Sequence, residues 1–256
     1  MEDLLIGALI AFGLAVLTTP VGVSGAVFLV PVQISLLHTP SPAVTPTNLL
    51  YNLVAIPGAL LRFRREGRLG GPLTRLLVLG TLPGVVAGAA IRVELLNGAQ
   101  AFLLVVAAVL IPLGAWLAFL RPAAARSPGR DRRRPILALS LATGTLGGIY
   151  GIGGGSILAP ILVGLGYSVL EVAPATLVAT FLTSLAGVLA FALLSLGTGG
   201  EVAPDWALGA GMGLGGLAGS YLGARLQTLL PEALLRRGLG ALALALGLRY
   251  AFSAVI

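Results

Sequence analysis

Charge in this chain stands almost entirely outside its apolar runs: all nine Asp and Glu fall at run ends or in loops, and fourteen of the sixteen Arg lie in three short polar stretches. With 57% hydrophobic residues against 10% charged and a mean hydropathy of +1.02, the chain has too little polar side chain to cover a soluble domain. It also has too much Leu, Val, Ala and Ile for a disordered one. An all-α polytopic membrane protein is the expected fold. There is no Cys, which removes disulfides, thiolate metal sites and thiol catalysis. The net charge of +7 sits in loop arginines without interleaved aromatics, a sign of membrane topology that argues against a nucleic-acid partner. Met1-Glu2-Asp3 is acidic where a removable secretory signal would be basic, so none is expected.

Set against the ~20 apolar residues that cross a bilayer, ten segments are expected near 4–17, 25–37, 44–61, 73–91, 99–120, 136–149, 156–165, 172–194, 206–222 and 234–252. The first two, and the sixth and seventh, are short runs separated by a Gly-rich break. The chain also repeats itself. Offset by 129, Gly22, Gly25, Pro31, Thr47 and Gly58 fall on Gly151, Gly154, Pro160, Thr176 and Gly187; offset by 131, Gly80, Gly84 and Gly88 fall on Gly211, Gly215 and Gly219. This divides the chain into an N-terminal repeat at 1–120, an Arg-rich linker at 121–135 and a C-terminal repeat at 136–256. Five segments per half with the N-terminus outside bring all three Arg-rich loops to the cytoplasm, and an even number does not. An odd count makes the repeats inverted relative to each other, an architecture of secondary transporters. The location implied is the cell inner membrane, multi-pass, with a cytoplasmic linker. Each short pair is either two tilted helices or a re-entrant hairpin.

Backbone that leaves a helix inside a bilayer must be buried in protein or line a cavity. A helix restarting there presents free N–H groups and a positive dipole end, which suits an anion. The two breaks therefore nominate Gly22, Val23, Ser24 and Gly25, and Gly153, Gly154, Gly155 and Ser156, as substrate-binding residues. The alternative is tight helix crossing. Hydroxyls and amides follow each break at helical spacing: Thr45, Thr47, Asn48, Tyr51 and Asn52 in the first half, Thr176, Thr180, Thr183 and Ser184 in the second. Of these, Thr47, Asn48, Tyr51, Thr176 and Thr180 join the expected site, with bonding of each Thr to the carbonyl four residues earlier as the competing fate. No carboxylate lies inside a run, which disfavours a cation substrate.

Other motifs carry no chemistry. Gly22-Val23-Ser24-Gly25 fits an intramembrane protease motif, but the only His, His38, lies on the segment that Ser24 itself opens. The run from Gly151 to Gly155 lacks the Lys and the strand of a phosphate loop. Gly211, Gly215, Gly219 and Gly223 form a smooth ridge for helix packing, as do Gly80, Gly84 and Gly88. No catalytic residue, metal site or cofactor is expected.

The pattern Gly151-Ile152-Gly153-Gly154-Gly155-Ser156 through Pro160, then Ala175-Thr176 and Gly187, with a degenerate copy in the first half, resembles the sulfite exporter TauE/SafE family over nearly the whole chain. Ser24 and Ala26 replace expected glycines there, and Pro46-Thr47-Asn48 replaces Ala-Thr-Leu. The resemblance implies an inner-membrane transporter of sulfur-containing anions such as sulfite, sulfonates or sulfoacetate. The partners implied are that small anion and the lipid bilayer, with a monomer or homodimer both open. An anion channel with the same backbone cradle is the alternative function.

Overall fold

The computed structural model describes residues 2–96, 98–119, 133–197, 202–229 and 231–255, and these form ten α-helices with no strand. They are α1 (Glu2–Thr18), α2 (Ala26–Ser35), α3 (Ser41–Arg65), α4 (Pro72–Glu94), α5 (Ala99–Phe119), α6 (Arg133–Tyr150), α7 (Gly154–Gly164), α8 (Val169–Ser195), α9 (Trp206–Leu226) and α10 (Glu232–Val255). Each helix coincides with one expected segment. Of the expected linker, residues 121–132 lie outside the described residues. Arg133, Arg134 and Pro135 open α6 instead of preceding it, since a proline in the first turn gives up an N–H that has no helical partner. Among the described residues five spans are long and apolar enough to cross a membrane, and the chain is an all-α polytopic membrane protein. At 1.5 Å per residue, α2 and α7 are only about 15 Å long and cannot span on their own.

Helix directions follow from the contacts. Arg68, just after α3, donates to the Leu170 carbonyl at the start of α8 (3.0 Å) and to Gln227 Oε1 at the end of α9 (2.8 Å). At the opposite end, Arg92 near the close of α4 donates to the Ser41 carbonyl at the start of α3 (2.7 Å), and the Asp205 N–H ahead of α9 donates to Thr47 Oγ1 (2.8 Å). Thus α3 and α8 run antiparallel, as do α4 and α9. α1 descends from the His38 end as far as Pro20, whose carbonyl accepts from Gln227 (2.7 Å), and α2 returns to the end it came from. The first short pair is a hairpin.

The first helix of each half packs not on its own half but on the fourth helix of the other, or is packed on by it. Gly211, Gly215, Gly219 and Gly223 of α9 lie on Leu4, Ala8, Phe12 and Val16 of α1, and Gly80, Gly84 and Gly88 of α4 lie on Leu137, Leu141 and Thr145 of α6. These are the glycine ridges, and close packing is their function here. The third helices are drawn in likewise, since Ser220 of α9 donates to the Ala55 carbonyl of α3 (2.6 Å). A methyl group at Gly215 would overlap the Ala8 backbone, whereas at Gly211 it would meet only the flexible Leu4 side chain at 3.1 Å. Gly215→Ala is therefore expected to destabilise the protein by about 1–3 kcal/mol through overpacking, and Gly211→Ala to leave its melting temperature near that of the wild type. Equal melting temperatures for the two variants would contradict this packing.

Candidate functional site

Both breaks are buried between α3 and α8. In the first, a single 3-10 turn at Thr19–Val21 ends at Gly22, whose φ of 77° places it in the left-handed region that favours glycine, and α2 resumes at Ala26. In the second, Gly151 (φ 84°) and Gly153 (φ 67°) make the turn and α7 resumes at Gly154. Each break wedges one glycine against the third helix of the opposite half. A Cβ at Gly22 would sit 2.7 Å from the Ala173 Cα of α8, and one at Gly151 would sit 2.6 Å from the Thr45 carbonyl of α3.

The breaks meet each other. The Ser24 N–H donates to Ser156 Oγ (3.1 Å), Ser24 Oγ donates to Asn52 Oδ1 (2.5 Å), and Asn52 Nδ2 donates to Ser184 Oγ (3.1 Å). This chain of polar groups links both breaks to the middles of α3 and α8, and all four side chains are at most 3% exposed. Two of its members, Ser24 and Ser156, are residues of the expected site. Asn52 and Ser184 complete the line from the flanking polar stripes.

The remaining expected residues divide by what they touch. Asn48 spends both amide protons on backbone, on the Ala26 carbonyl (2.9 Å) and the Gly151 carbonyl (3.0 Å), while its Oδ1 accepts from Gln33 Nε2 (3.1 Å). Thr176 Oγ1 lies within hydrogen-bonding distance of the Gly22 carbonyl (3.0 Å) and of the Val172 carbonyl in its own helix (2.9 Å). Thr45 Oγ1 donates to the Ile149 carbonyl (3.0 Å). Thr176 and Thr45 therefore hold backbone of the opposite half, and Asn48 ties the backbones of both breaks together. Thr47 faces away from the breaks and accepts from Asp205, and Thr183 bonds back to Ala179 (2.8 Å). Tyr51 packs over Gly25 and Gly216, where only glycine leaves room for its ring. Val23 is fully buried beside them.

Two features fit an anion. The N-terminus of α7 is buried and has no side-chain cap at Gly153, so the donors of its first turn, at Gly154, Gly155 and Ser156, are offered without a side-chain acceptor. Facing them is Thr180 Oγ1, fully buried and without a hydrogen-bond partner, aimed at the glycines: a Cβ added at Gly155 would come within 2.5 Å of it. A buried hydroxyl left unbonded costs roughly 1–3 kcal/mol, and it lies across from a positive helix end. Among the described residues no cluster of three or more His or carboxylate groups could hold a metal.

Run length and motif spacing do not single out Gln33. It is the one amide in the apolar run 25–37, is fully buried, and its Oε1 has no partner. A lone amide in an otherwise apolar segment is the signal that points to it. His38 lies in the turn between α2 and α3 with a φ of 49° and lines a recess of about 630 Å³ together with Asp3 and Asp205.

Two Gly-rich breaks that meet each other inside a polytopic membrane protein suit a solute site, and the comparison with known proteins decides what kind of protein this is. The family model for the sulfite exporter TauE/SafE matches residues 7–250. The chain belongs to the TauE/SafE family. The match runs from α1 into α10 across both breaks and the linker, and membership makes this a membrane transport protein of a family that handles sulfur anions such as sulfite. No curated protein and no solved structure matches the chain significantly.

Proposed function

We propose that this TauE/SafE protein is a secondary transporter that moves a small sulfur-containing anion, of sulfite, sulfonate or sulfoacetate type, across the inner membrane by alternating access. The carrying observation is the uncapped, buried N-terminus of α7 facing the unbonded Thr180 hydroxyl. The anion binds there, against Gly153, Gly154, Gly155 and Ser156, with Ser24 and the Gly22–Gly25 backbone closing the other side. Asn48 and Thr176 hold the backbone of this site in the closed state and Tyr51 packs on Gly25, while Thr47 anchors α3 to the start of α9. Complete burial of both breaks supports a carrier, which occludes its substrate, over a continuous pore.

The two halves act as inverted repeats. Antiparallel α3 and α8, antiparallel α4 and α9, and the exchanged packing of α1 on α9 and α6 on α4 support this reading. Arg68 beside Gln227, and α6 starting beside the N-terminal part of α4, gather the Arg-rich loops at one end, which supports a cytoplasmic assignment for that end.

The test is the melting temperature of the detergent-solubilised protein with sulfite, thiosulfate, methanesulfonate, sulfate, phosphate and chloride at fixed ionic strength. An anion at 100 times its dissociation constant stabilises the fold by about 2.7 kcal/mol. A selective shift with sulfur anions is expected. Thr180→Val, which leaves the shape and removes one donor, is expected to weaken it by about 10- to 100-fold, the worth of a hydrogen bond to a charged group. A flat panel with inactive liposomes would reject the reading.

A further inference from the structure

Arg92 is the one described arginine side chain among the fully buried ones, 1% exposed near the end of α4, and among the described residues no carboxylate pairs with it. The ion pairs found there join Glu66 to Arg62 and Arg68, at the opposite end of α3. Its guanidinium lies 4.2 Å from the Phe102 ring centroid and donates to the Ser41 carbonyl (2.7 Å), Ser41 Oγ (2.9 Å) and the Leu96 carbonyl. Its Nε donates to Thr45 Oγ1 (3.3 Å), and that hydroxyl in turn donates to the Ile149 carbonyl just before the second break. A positive charge is thus one hydroxyl away from the break, held among the described residues by neutral groups and by the carbonyl end of its own helix.

Burying a charge without a counter-ion is costly, and an ionisable residue inside a membrane protein is in most cases tied to what the protein moves or binds. Carbonyls, a hydroxyl and an aromatic face orient the guanidinium without cancelling its charge. We propose that Arg92 is the fixed positive charge of the translocation path, which draws the anion from the His38 end towards the second break and sets the preference for more highly charged anions. The proposal rests on the anion-transport reading above. It adds a binding residue outside both Gly-rich breaks and gives the first turn of α3 a role, since Ser41 aims the guanidinium.

Three variants in liposomes separate this role from a structural one, with sulfur-anion counterflow as the readout. Arg92→Gln removes the charge and keeps two donors. Ser41→Asp leaves the arginine in place but supplies a carboxylate beside it, and an acid in the first turn of α3 suits that helix end. Arg92→Lys keeps the charge and loses the fork. Arg92→Gln and Ser41→Asp are each expected to raise the apparent KM for thiosulfate by about tenfold or more, and to raise that for the monovalent methanesulfonate less. Arg92→Lys should keep the ratio between the two anions, and Ser41→Asp should melt no lower than the wild type. Unchanged KM in a folded Ser41→Asp protein would overturn the proposal, as would equal losses for both anions in Arg92→Gln and Arg92→Lys. Wild-type liposomes silent to every anion would overturn the transport reading itself, which is distinguishable from active wild type with indifferent variants.

Discussion

Asn48→Leu is expected to lower stability by on the order of 2–6 kcal/mol, from two buried groups left without a partner, the Gly151 carbonyl and the Gln33 amide, at roughly 1–3 kcal/mol each. The change is nearly isosteric, so little of the loss comes from packing. It comes from polar groups: Gly151 loses its amide donor and Gln33 loses its acceptor, both inside the protein. Water in the bilayer interior is too scarce to replace the partner. Thermal unfolding in mild detergent measures this directly. Asn48→Gln, with the same groups one methylene further out, should recover part of the loss. A leucine variant that melts with the wild type would mean that the breaks hold their shape without Asn48.

Gly155→Ala is expected to abolish transport. The added methyl would overlap the Thr176 carbonyl oxygen and stand 2.5 Å from Thr180 Oγ1, where the α7 N-terminus packs on α8. Overpacking of this kind costs about 1–3 kcal/mol, which a folded protein can survive, whereas an anion bound as proposed against the α7 N-terminus could not be accommodated. Flux at the detection limit from a protein that still inserts and melts cooperatively is the anticipated result. The control is Gly13→Ala on the outer face of α1, where a methyl would meet nothing within 4 Å. Normal flux in Gly155→Ala would move the substrate away from α7.

Run length and glycine spacing make the helices legible in the sequence alone. The ten apolar segments are ten helices because lipid forces each run to satisfy its own backbone. The glycine ridges at Gly80–Gly88 and Gly211–Gly223 are readable as packing because a four-residue repeat can lie only along one face of a helix. Partner choice is not readable. Nothing in the local pattern says that Gly215 meets Ala8, or that Asn48 reaches Gly151, 103 residues away. Both contacts depend on how the halves interleave, a property of the assembled bundle. The same limit applies to the site: the Thr stripes are visible, but whether each hydroxyl faces a ligand, a neighbouring carbonyl or its own helix is decided by contacts. Thr183 takes the local bond, Thr176 reaches towards the other half, and Thr180 takes neither. Arg92 is visible only as an arginine outside the loops, since its burial depends on Phe102 of the next helix.

The exchange of first and fourth helices also constrains the order in which the chain can be made. α1 emerges from the ribosome long before the ridge it packs on, Gly211–Gly223. A nascent chain halted after α5 holds α1 and α4 in the bilayer with their closest-packing faces bare to lipid. Assembly of the first half thus waits for the second, so separately expressed halves should each be short-lived and should survive together.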